Sequence, residues 1–496
     1  MEFDLAIVGC GVVGAACAYE LSKYNLKIVV LERENDVAAS GATKSNSAVI
    51  HAGFDPPTDT LMAKLNVAGS QIAQNLLVEL DVAHKKCGAL VLAFTEEDEI
   101  TLRNLYDRGT KNGTQGLKIL DRLQTLSLEP NLNPALRAAL HAPTSMIVSP
   151  WEYTLALAEV AVQNGATILL EHEVLDIKQK GGVFEINTPK TKITANYILN
   201  AGGLFADKIH NMVASPSYEI TPDKGEYFLL DRNKGETLKH TIFQCPNQHG
   251  KGVLVSPTVH GNIIVGPSSN DPPKGLFDVS HTAAALERVA KTAKLSVPDL
   301  DFYSNIRNFA GNRAKTNRGD FIIEAAADVP KFVDCGGIVS PGLSAAPAIA
   351  IMAAELLQEA GLRLEHRAKF NGSRKAILFK ELSDAEKNAA ISQDKSYAHI
   401  ICRCETITEG DILWALRSPV PPRSLDAVKR RVSAGFGRCQ GGFCSPRVLE
   451  ILTDYYGCSP TDILQDLAGT ELLFHETKTG QEGDNMDRCS IIQKEE

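Results

Sequence analysis

The sequence predicts an α/β protein: a Rossmann-like parallel sheet interleaved with an antiparallel sheet, followed by a small helical module. Three observations carry this. Gly9-x-Gly11-x-x-Gly14 lies between two apolar runs at the start of the chain, alternating apolar runs occupy the middle, and Cys402-x-Cys404 with Cys439-x-x-x-x-Cys444 stands near the end. A glycine turn suited to a dinucleotide and a thiolate set suited to a metal, joined in one chain, point to an electron relay.

The opening elements read strand, turn, helix, strand. Asp4 to Val8 is apolar, the glycines follow, Val12 to Lys23 has helical character, and Lys27 to Leu31 is a second buried strand. In such a βαβ unit Gly9 permits the tight turn, Gly11 lets the backbone approach a pyrophosphate, and Gly14 allows close packing of helix on strand. The diphosphate is expected on the helix N-terminus at Val12 and Val13, where unpaired N–H groups and the helix dipole favour anions. Glu32 ends the second strand about 20 residues on, where a carboxylate accepts hydrogen bonds from the adenosine ribose. Further on, Tyr227 to Leu230, Val253 to Val255 and Asn262 to Val265 alternate as antiparallel strands do.

Composition narrows the function. A chain of 496 residues has room for several domains of roughly 100–200 residues. A net charge of −9 argues against nucleic acid, whose phosphates favour a basic surface. Residues 1–9 run straight from strand into glycine loop, which predicts no signal or transit peptide and a cytoplasmic protein. The longest apolar stretch, Ala345 to Leu357, is too short to span a bilayer. Membrane contact is therefore expected only peripherally, at the inner face of the cell membrane, through a partner. Eleven cysteines in such a chain read as reduced thiols and metal ligands, not disulfides.

The glycine loop alone leaves FAD and NAD both open, and the stretch Ala39 to Asp55 decides between them. Its small hydroxyl and amide residues supply donors for a diphosphate and let a flat ring approach. The segment resembles the flavin-binding loop of the glycerol-3-phosphate dehydrogenase and oxidase group within the D-amino acid oxidase-like FAD superfamily; L-2-hydroxyglutarate dehydrogenases carry a related loop. Further segments extend the resemblance: Asn200 to Asp207, Lys251 to Pro257, Gly261 to Pro267, Gly311 to Arg313, Gly319 to Ile323 and Gly336 to Pro347. It implies FAD contacts at Gly9, Gly11, Val12, Val13, Gly14, Glu32, Arg33, Thr43, Ser45, Asn46, Gly202, Gly342, Leu343 and Ser344. It also implies a helix from Pro347 to Glu359 whose N-terminal amides would stabilise charge on the reduced flavin. The interleaved plan of the superfamily puts the FAD part at about 1–80, 145–215 and 318–365, within an oxidoreductase spanning 1–365. The substrate part then falls at about 81–144 and 216–317. A polar tether with helical content is expected at 366–398, the cysteine module at 399–468 and a flexible tail at 469–496.

The four thiolates of the module, Cys402, Cys404, Cys439 and Cys444, could hold zinc or an iron-sulfur cluster, since both accept tetrahedral sulfur. A Cys-x-Cys pair is closer than the two to four residues usual in zinc fingers. Gly437-Arg-Cys-Gln-Gly-Gly-Phe-Cys444 resembles the bacterioferritin-associated ferredoxin-like domain, which implies a 2Fe-2S cluster. Between the pairs, Ser424 is a plausible N-cap of a helix running to Val432. Arg403, Lys429, Arg430, Arg431 and Arg438 could offset the cluster's charge, form a solvated face or dock an acidic partner.

Oxidation of an alcohol by a flavin needs a base for the hydroxyl proton, and a histidine suits that near neutral pH. The resemblance places His51 against substrate as general base or proton relay. Lys251 and Arg313 match basic family positions, where they could bind a phosphate dianion; Lys251 could instead assist proton transfer. Ser47 is a candidate for hydrogen bonding to substrate or flavin, or a simple loop hydroxyl. At Asn312-Arg313-Ala314 the family pattern has leucine before the arginine and proline after it. The leading expectation is an FAD-dependent dehydrogenase of sn-glycerol 3-phosphate, similar to the anaerobic large-subunit type, yielding dihydroxyacetone phosphate. Electrons would leave through the cluster to an accepting protein subunit or quinone-linked acceptor. Oxidation of L-2-hydroxyglutarate, another 2-hydroxyacid or hydroxyproline is the second expectation, and a non-catalytic electron-transfer subunit the third.

Overall fold

The computed structural model describes residues 1–246, 252–269 and 272–475. Its first sheet is built on Glu2–Val8, which pairs in parallel with Ile28–Leu31 on one side and Lys192–Asn200 on the other. Thr167–Leu169 extends the sheet beyond Ile28–Leu31, again in parallel. Every residue of Ile28–Leu31 is buried, as expected of a strand covered on both faces. Lys192–Asn200 divides its far edge: its first half pairs antiparallel with Val183–Asn187, and its second half pairs in parallel with Val329–Gly336.

Helices cover the sheet and make its largest core. Val12–Leu21 lies against Pro150–Gln163 and Gly342–Glu359, and the last of these also carries Leu61–Glu79. The expected helix at Pro347 therefore starts five residues earlier, at Gly342, with Pro347 inside it. Pro347 lies in its second turn, where it leaves the Leu343 carbonyl without the usual i→i−4 donor.

The second sheet has eight strands among the described residues, and Asn305–Thr316 on Ile220–Leu230 is its longest pairing, with Asp223 opposite Arg313. Ile263–Gly266, Leu254–Pro257 and Thr241–Gln244 follow in order across it. One pairing departs from the antiparallel expectation: Thr241–Gln244 runs parallel to Ala89–Ala93. Ala283–Ser296 packs on this sheet over a second core. The two sheets draw alternately on the chain, so each is assembled from segments far apart in sequence.

The cysteine module has its own core, formed by Glu409–Leu416, Leu425–Val432 and Ser445–Tyr456 with the short pair Ile400–Cys402 and Ile407–Thr408. Ser424 caps Leu425–Val432 by accepting from the Ala427 amide at 3.2 Å. Leu472 joins this core, so the module runs past residue 468. Of the expected tail, residues 476–496 lie outside the described residues. The segment read as a tether is held over its first half and carries the expected helical content at Asp384–Gln393. Arg367 donates to the carbonyls of Ser22 and Leu26, Arg374 pairs with buried Glu159 at 2.7 Å, and the Phe379 amide donates to Asp411 at 2.8 Å. Polar groups of this segment are here anchors to two different bodies.

Candidate functional site

A cavity of ≈ 1330 Å³ opens between the two sheets. Drug-sized ligands occupy roughly 300–1,000 Å³, so this one has room for a dinucleotide and a small substrate together. Gly9, Gly11, Val12, Val13, Glu32, Arg33, Thr43, Ser45, Asn46, Gly202, Gly342 and Leu343 all line it, as do Ser47, His51 and Arg313. Lys251 lies outside the described residues. Gly14 and Ser344 stand behind the wall and act through it.

At the dinucleotide end Gly9 has φ +93°, and a Cβ there would sit 2.6 Å from the Ala201 carbonyl oxygen. Only glycine fits both conditions. A Cβ on Gly14 would meet the Gly9 carbonyl oxygen at 2.0 Å, so this glycine brings the helix onto the turn and touches no ligand. Glu32 is oriented by two amides, Cys10 at 2.7 Å and Glu34 at 3.0 Å, and burial pushes its carboxyl above the ordinary range despite them. A carboxylate so fixed beside the turn is placed for ribose hydroxyls. The Thr43 hydroxyl accepts from the Val12 amide at 3.0 Å and ties the following loop to the helix start. Asn46 lines the cavity, but its side chain bonds the Ala42 and Thr43 carbonyls and the Ala48 amide, shaping the loop. Arg33 lies over the adjoining rings of Phe205 and Phe277, 4.7 and 4.9 Å from their centroids.

At the other end the elements of both sheets meet. The His51 amide donates to the Ser344 hydroxyl at 2.7 Å, and its Nε2 is 3.3 Å from Ser340 Oγ, so the start of helix Gly342–Glu359 sets the imidazole's position. Opposite, Arg313 is clamped by its Nε to the Asp223 carboxylate at 2.9 Å and by Nη2 to the Lys224 carbonyl at 3.2 Å. That clamp follows from the register of the two long strands and leaves Nη1 outside it. Ser47 Oγ lies 3.3 Å from the Tyr227 hydroxyl. Tyr227 is stacked on Phe309, and burial raises its phenol above the usual value against the pull of Arg313 and Ser47. Tyr227, Asp223 and Ser340 were not among the sequence candidates. Tyr227 was visible there only as a residue of an alternating strand, and nothing local distinguishes a cavity-facing tyrosine from a core one.

The four module cysteines come together in two couples. Cys404 Sγ is 3.6 Å from Cys439 Sγ, and Cys402 is hydrogen-bonded with Cys444. The Cys444 thiol brings Cys402 down to about 6, and Cys444 moves up in return. Against burial, the amides of Phe443 and Gly441 hold Cys439 low. Two thiol couples with amides aimed at Cys402 and Cys439 have the ligand chemistry of a cluster that carries negative charge on sulfur, although among the described residues no three metal-ligating side chains are gathered closely enough to hold a metal ion. A Cβ on Gly437 would lie 2.3 Å from Cys404 Cβ, so the loop can close over this set only with glycine there.

The basic residues of the module mostly serve another purpose than balancing the cluster. Arg430 and Arg431 are buried on Asp36 of the first sheet's loop, Arg430 also reaching Asp466. Arg438 pairs with Asp231 at 2.5 Å, and Arg232 donates to the Cys404 carbonyl at 2.6 Å. Burial brings Lys429 down to about 8. Arg403 is exposed.

A glycine-turn dinucleotide cavity facing an antiparallel sheet, with a four-thiolate centre fixed beside it, defines a two-cofactor redox enzyme. The chain belongs to the FAD dependent oxidoreductase family, which matches residues 4–356, and residues 400–454 match the BFD-like 2Fe-2S binding domain. Its cofactors are FAD and a 2Fe-2S cluster. Glycerol 3-phosphate dehydrogenase of Caloramator mitchellensis is 47% identical over 96% of this chain and 99% of its own. Glycerol 3-phosphate oxidase of Mycoplasma genitalium is 35% identical over 74% of this chain and 97% of its own. Among solved structures, dithionite-reduced L-alpha-glycerophosphate oxidase from Mycoplasma pneumoniae with FAD bound superposes with a TM-score of 0.72 at 35% identity, covering 75% of this chain and 98% of that one. Among the described residues no helix is long and apolar enough to cross a membrane.

Proposed function

We propose that this enzyme oxidises sn-glycerol 3-phosphate to dihydroxyacetone phosphate and sends the electrons out through the 2Fe-2S centre to a separate electron-accepting protein or quinone-linked acceptor. The observation that carries the reading is the placing of His51 and Arg313 on the wall of one cavity, a proton acceptor from the first sheet's loop and an anion-binding cation from the second sheet. Bound FAD supplies the hydride acceptor. Arg313, fixed by Asp223, offers its free edge to the phosphate, where charge-assisted bonds are strong. His51, held by Ser344 through its amide, takes the hydroxyl proton and can return it to water by way of Ser340. Ser47 and Tyr227 form a hydrogen-bonded pair that can donate to the alcohol oxygen. Cytoplasmic placement, peripheral at the inner face of the membrane through the acceptor, belongs to the same proposal.

The extent of the relatives supports the electron exit. The M. genitalium oxidase matches 97% of its own length while reaching 74% of this chain, whereas the dehydrogenase relative spans both modules. A direct oxygen user needs no one-electron exit, and the additional module supplies one. Anaerobic titration of the iron-replete protein tests the whole reading, with sn-glycerol 3-phosphate and L-2-hydroxyglutarate in parallel. Bleaching of both flavin and cluster bands by the first compound is expected; bleaching by the second alone reassigns the substrate.

A further inference from the structure

The cysteine module meets the bodies of both sheets beside the flavin cavity at several places besides its pairs with Asp36 and Asp231. Arg307 donates to Gln440 at 3.3 Å, Lys44 pairs with Asp466 at 2.6 Å, and Asn35 donates to the Asp466 carbonyl at 2.6 Å. A further contact is aromatic: Trp151, at the start of helix Pro150–Gln163, stacks on Phe436 of the cysteine loop with centroids 4.9 Å apart and planes 21° from parallel.

We propose that the Trp151–Phe436 stack is the electronic contact between the flavin cavity and the 2Fe-2S centre. The inference rests on the preceding reading that electrons leave through the centre. Both ends of the stack are tied to the two sites by short links. On the cavity side, the Trp151 indole N–H donates to the Lys44 carbonyl at 3.1 Å, and Lys44 and Ser45 are both cavity wall. On the cluster side, Phe436 is bonded directly to Gly437, whose Cα approaches Cys404 so closely that a Cβ would lie 3.4 Å from the ligand sulfur. The route from wall to ligand is thus one hydrogen bond, one ring stack, one peptide and one van der Waals contact. Lys429 lies 4.9 Å over the Phe436 ring and holds it by a cation–π contact. The buried clamp of Asp36 on Arg430 and Arg431 keeps the two bodies in fixed register.

The electrons balance as follows. Oxidation of one secondary alcohol releases two electrons and two protons: one proton goes to His51, and the other leaves with both electrons as hydride. A 2Fe-2S centre takes a single electron, one ferric iron becoming ferrous, so the stack is crossed twice per alcohol. The first electron must pass on to a one-electron acceptor before the second can cross.

Flash photoreduction by an external deazaflavin with EDTA as sacrificial electron donor, without any alcohol, loads the flavin whatever the natural substrate is and so separates this proposal from the choice of substrate; the flavin-depleted protein run in parallel gives the direct reduction of the cluster, which is subtracted. Transfer is then followed as bleaching of the cluster bands in Trp151→Leu, Phe436→Leu and Trp151→Phe. Each variant is first matched to the parent in flavin and iron content and in the electron paramagnetic resonance signal of the reduced cluster. In both leucine variants cluster bleaching is expected to slow by about tenfold or more, equivalent to about 1.4 kcal/mol of barrier. Trp151→Phe, which keeps a ring in the stack, is expected to stay within a few-fold of the parent. A merely structural pair would move the resonance signal or the iron content and not this rate. Transfer at the parental rate in Trp151→Leu overturns the proposal, and because Trp151 lies in the other module that result does not depend on cluster assembly.

Discussion

Replacing Asp36 by alanine should loosen the cysteine module from the dinucleotide-binding body. The Asp36 carboxylate is buried and accepts four charge-assisted bonds: from Arg430 Nε and Nη2 at 3.0 and 2.8 Å, and from Arg431 Nη1 and Nη2 at 3.0 and 2.7 Å. Removing one partner of a buried ion pair typically costs about 3–5 kcal/mol, because the charge left behind is uncompensated. Here two cations are left. Arg430 keeps Asp466 at 2.8 Å and Arg431 keeps the carbonyls of Val420 and Ala427, so the loss belongs in that range and not at twice its value. Burial opposes ionisation of Asp36, but Arg431 and Arg430 prevail and hold its carboxyl below the ordinary value. The contribution is therefore complete above the unfolded value near pH 3.9 and is lost only as pH falls through the lower folded value. Between pH 5 and 8 the difference between parent and variant should stay constant. Urea unfolding followed by tryptophan fluorescence suits the question, since the two tryptophans, Trp151 and Trp414, lie one in each body. An Asp36→Ala loss below about 1 kcal/mol, the size of a surface pair, would refute the clamp.

His51→Asn should slow anaerobic flavin reduction by about 10² to 10⁴, the usual worth of a positioned base; rapid-mixing absorbance measures it, and an unchanged rate removes His51 from the proton path. Arg313→Ala should raise the KM for sn-glycerol 3-phosphate far more than that for glycerol, and equal losses on both would show that Arg313 does not hold the phosphate.

The sequence reading succeeded where the chemistry is local. Gly9, Gly11 and Glu32 belong to one turn and the end of its next strand, so their spacing is legible locally and they line the cavity, with Gly14 packed behind them. The four cysteines are likewise legible, because two short-spaced pairs leave few roles for thiols in a reduced protein. What escaped depends on distant pairings. Asp223 matters because it faces Arg313 across a strand register ninety residues long in sequence. Arg430 and Arg431 sit within the cysteine module and were read by proximity as charge balance or a docking face. Their partner Asp36 is almost four hundred residues away, and only packing reveals it. In the segment 366–398 the anchors at Arg367 and Arg374 were not legible for a similar reason: a polar composition describes a tether and an ion-paired strap equally well.

The interleaving of the first sheet also bears on how the protein is made. Its parallel core joins Glu2–Val8 and Ile28–Leu31 to Val329–Gly336, and helix Gly342–Glu359 packs between Val12–Leu21 and Leu61–Glu79. The first thirty residues cannot be enclosed until the ribosome has passed about residue 360. At roughly 5–20 residues per second that is about 20–70 s of synthesis with an apolar βαβ unit lacking its covering helix. Such non-local sheets assemble slowly and are open to aggregation meanwhile. Cofactor loading is correspondingly a late event, because Gly342 and Leu343 complete the wall of the cavity that Gly9 begins.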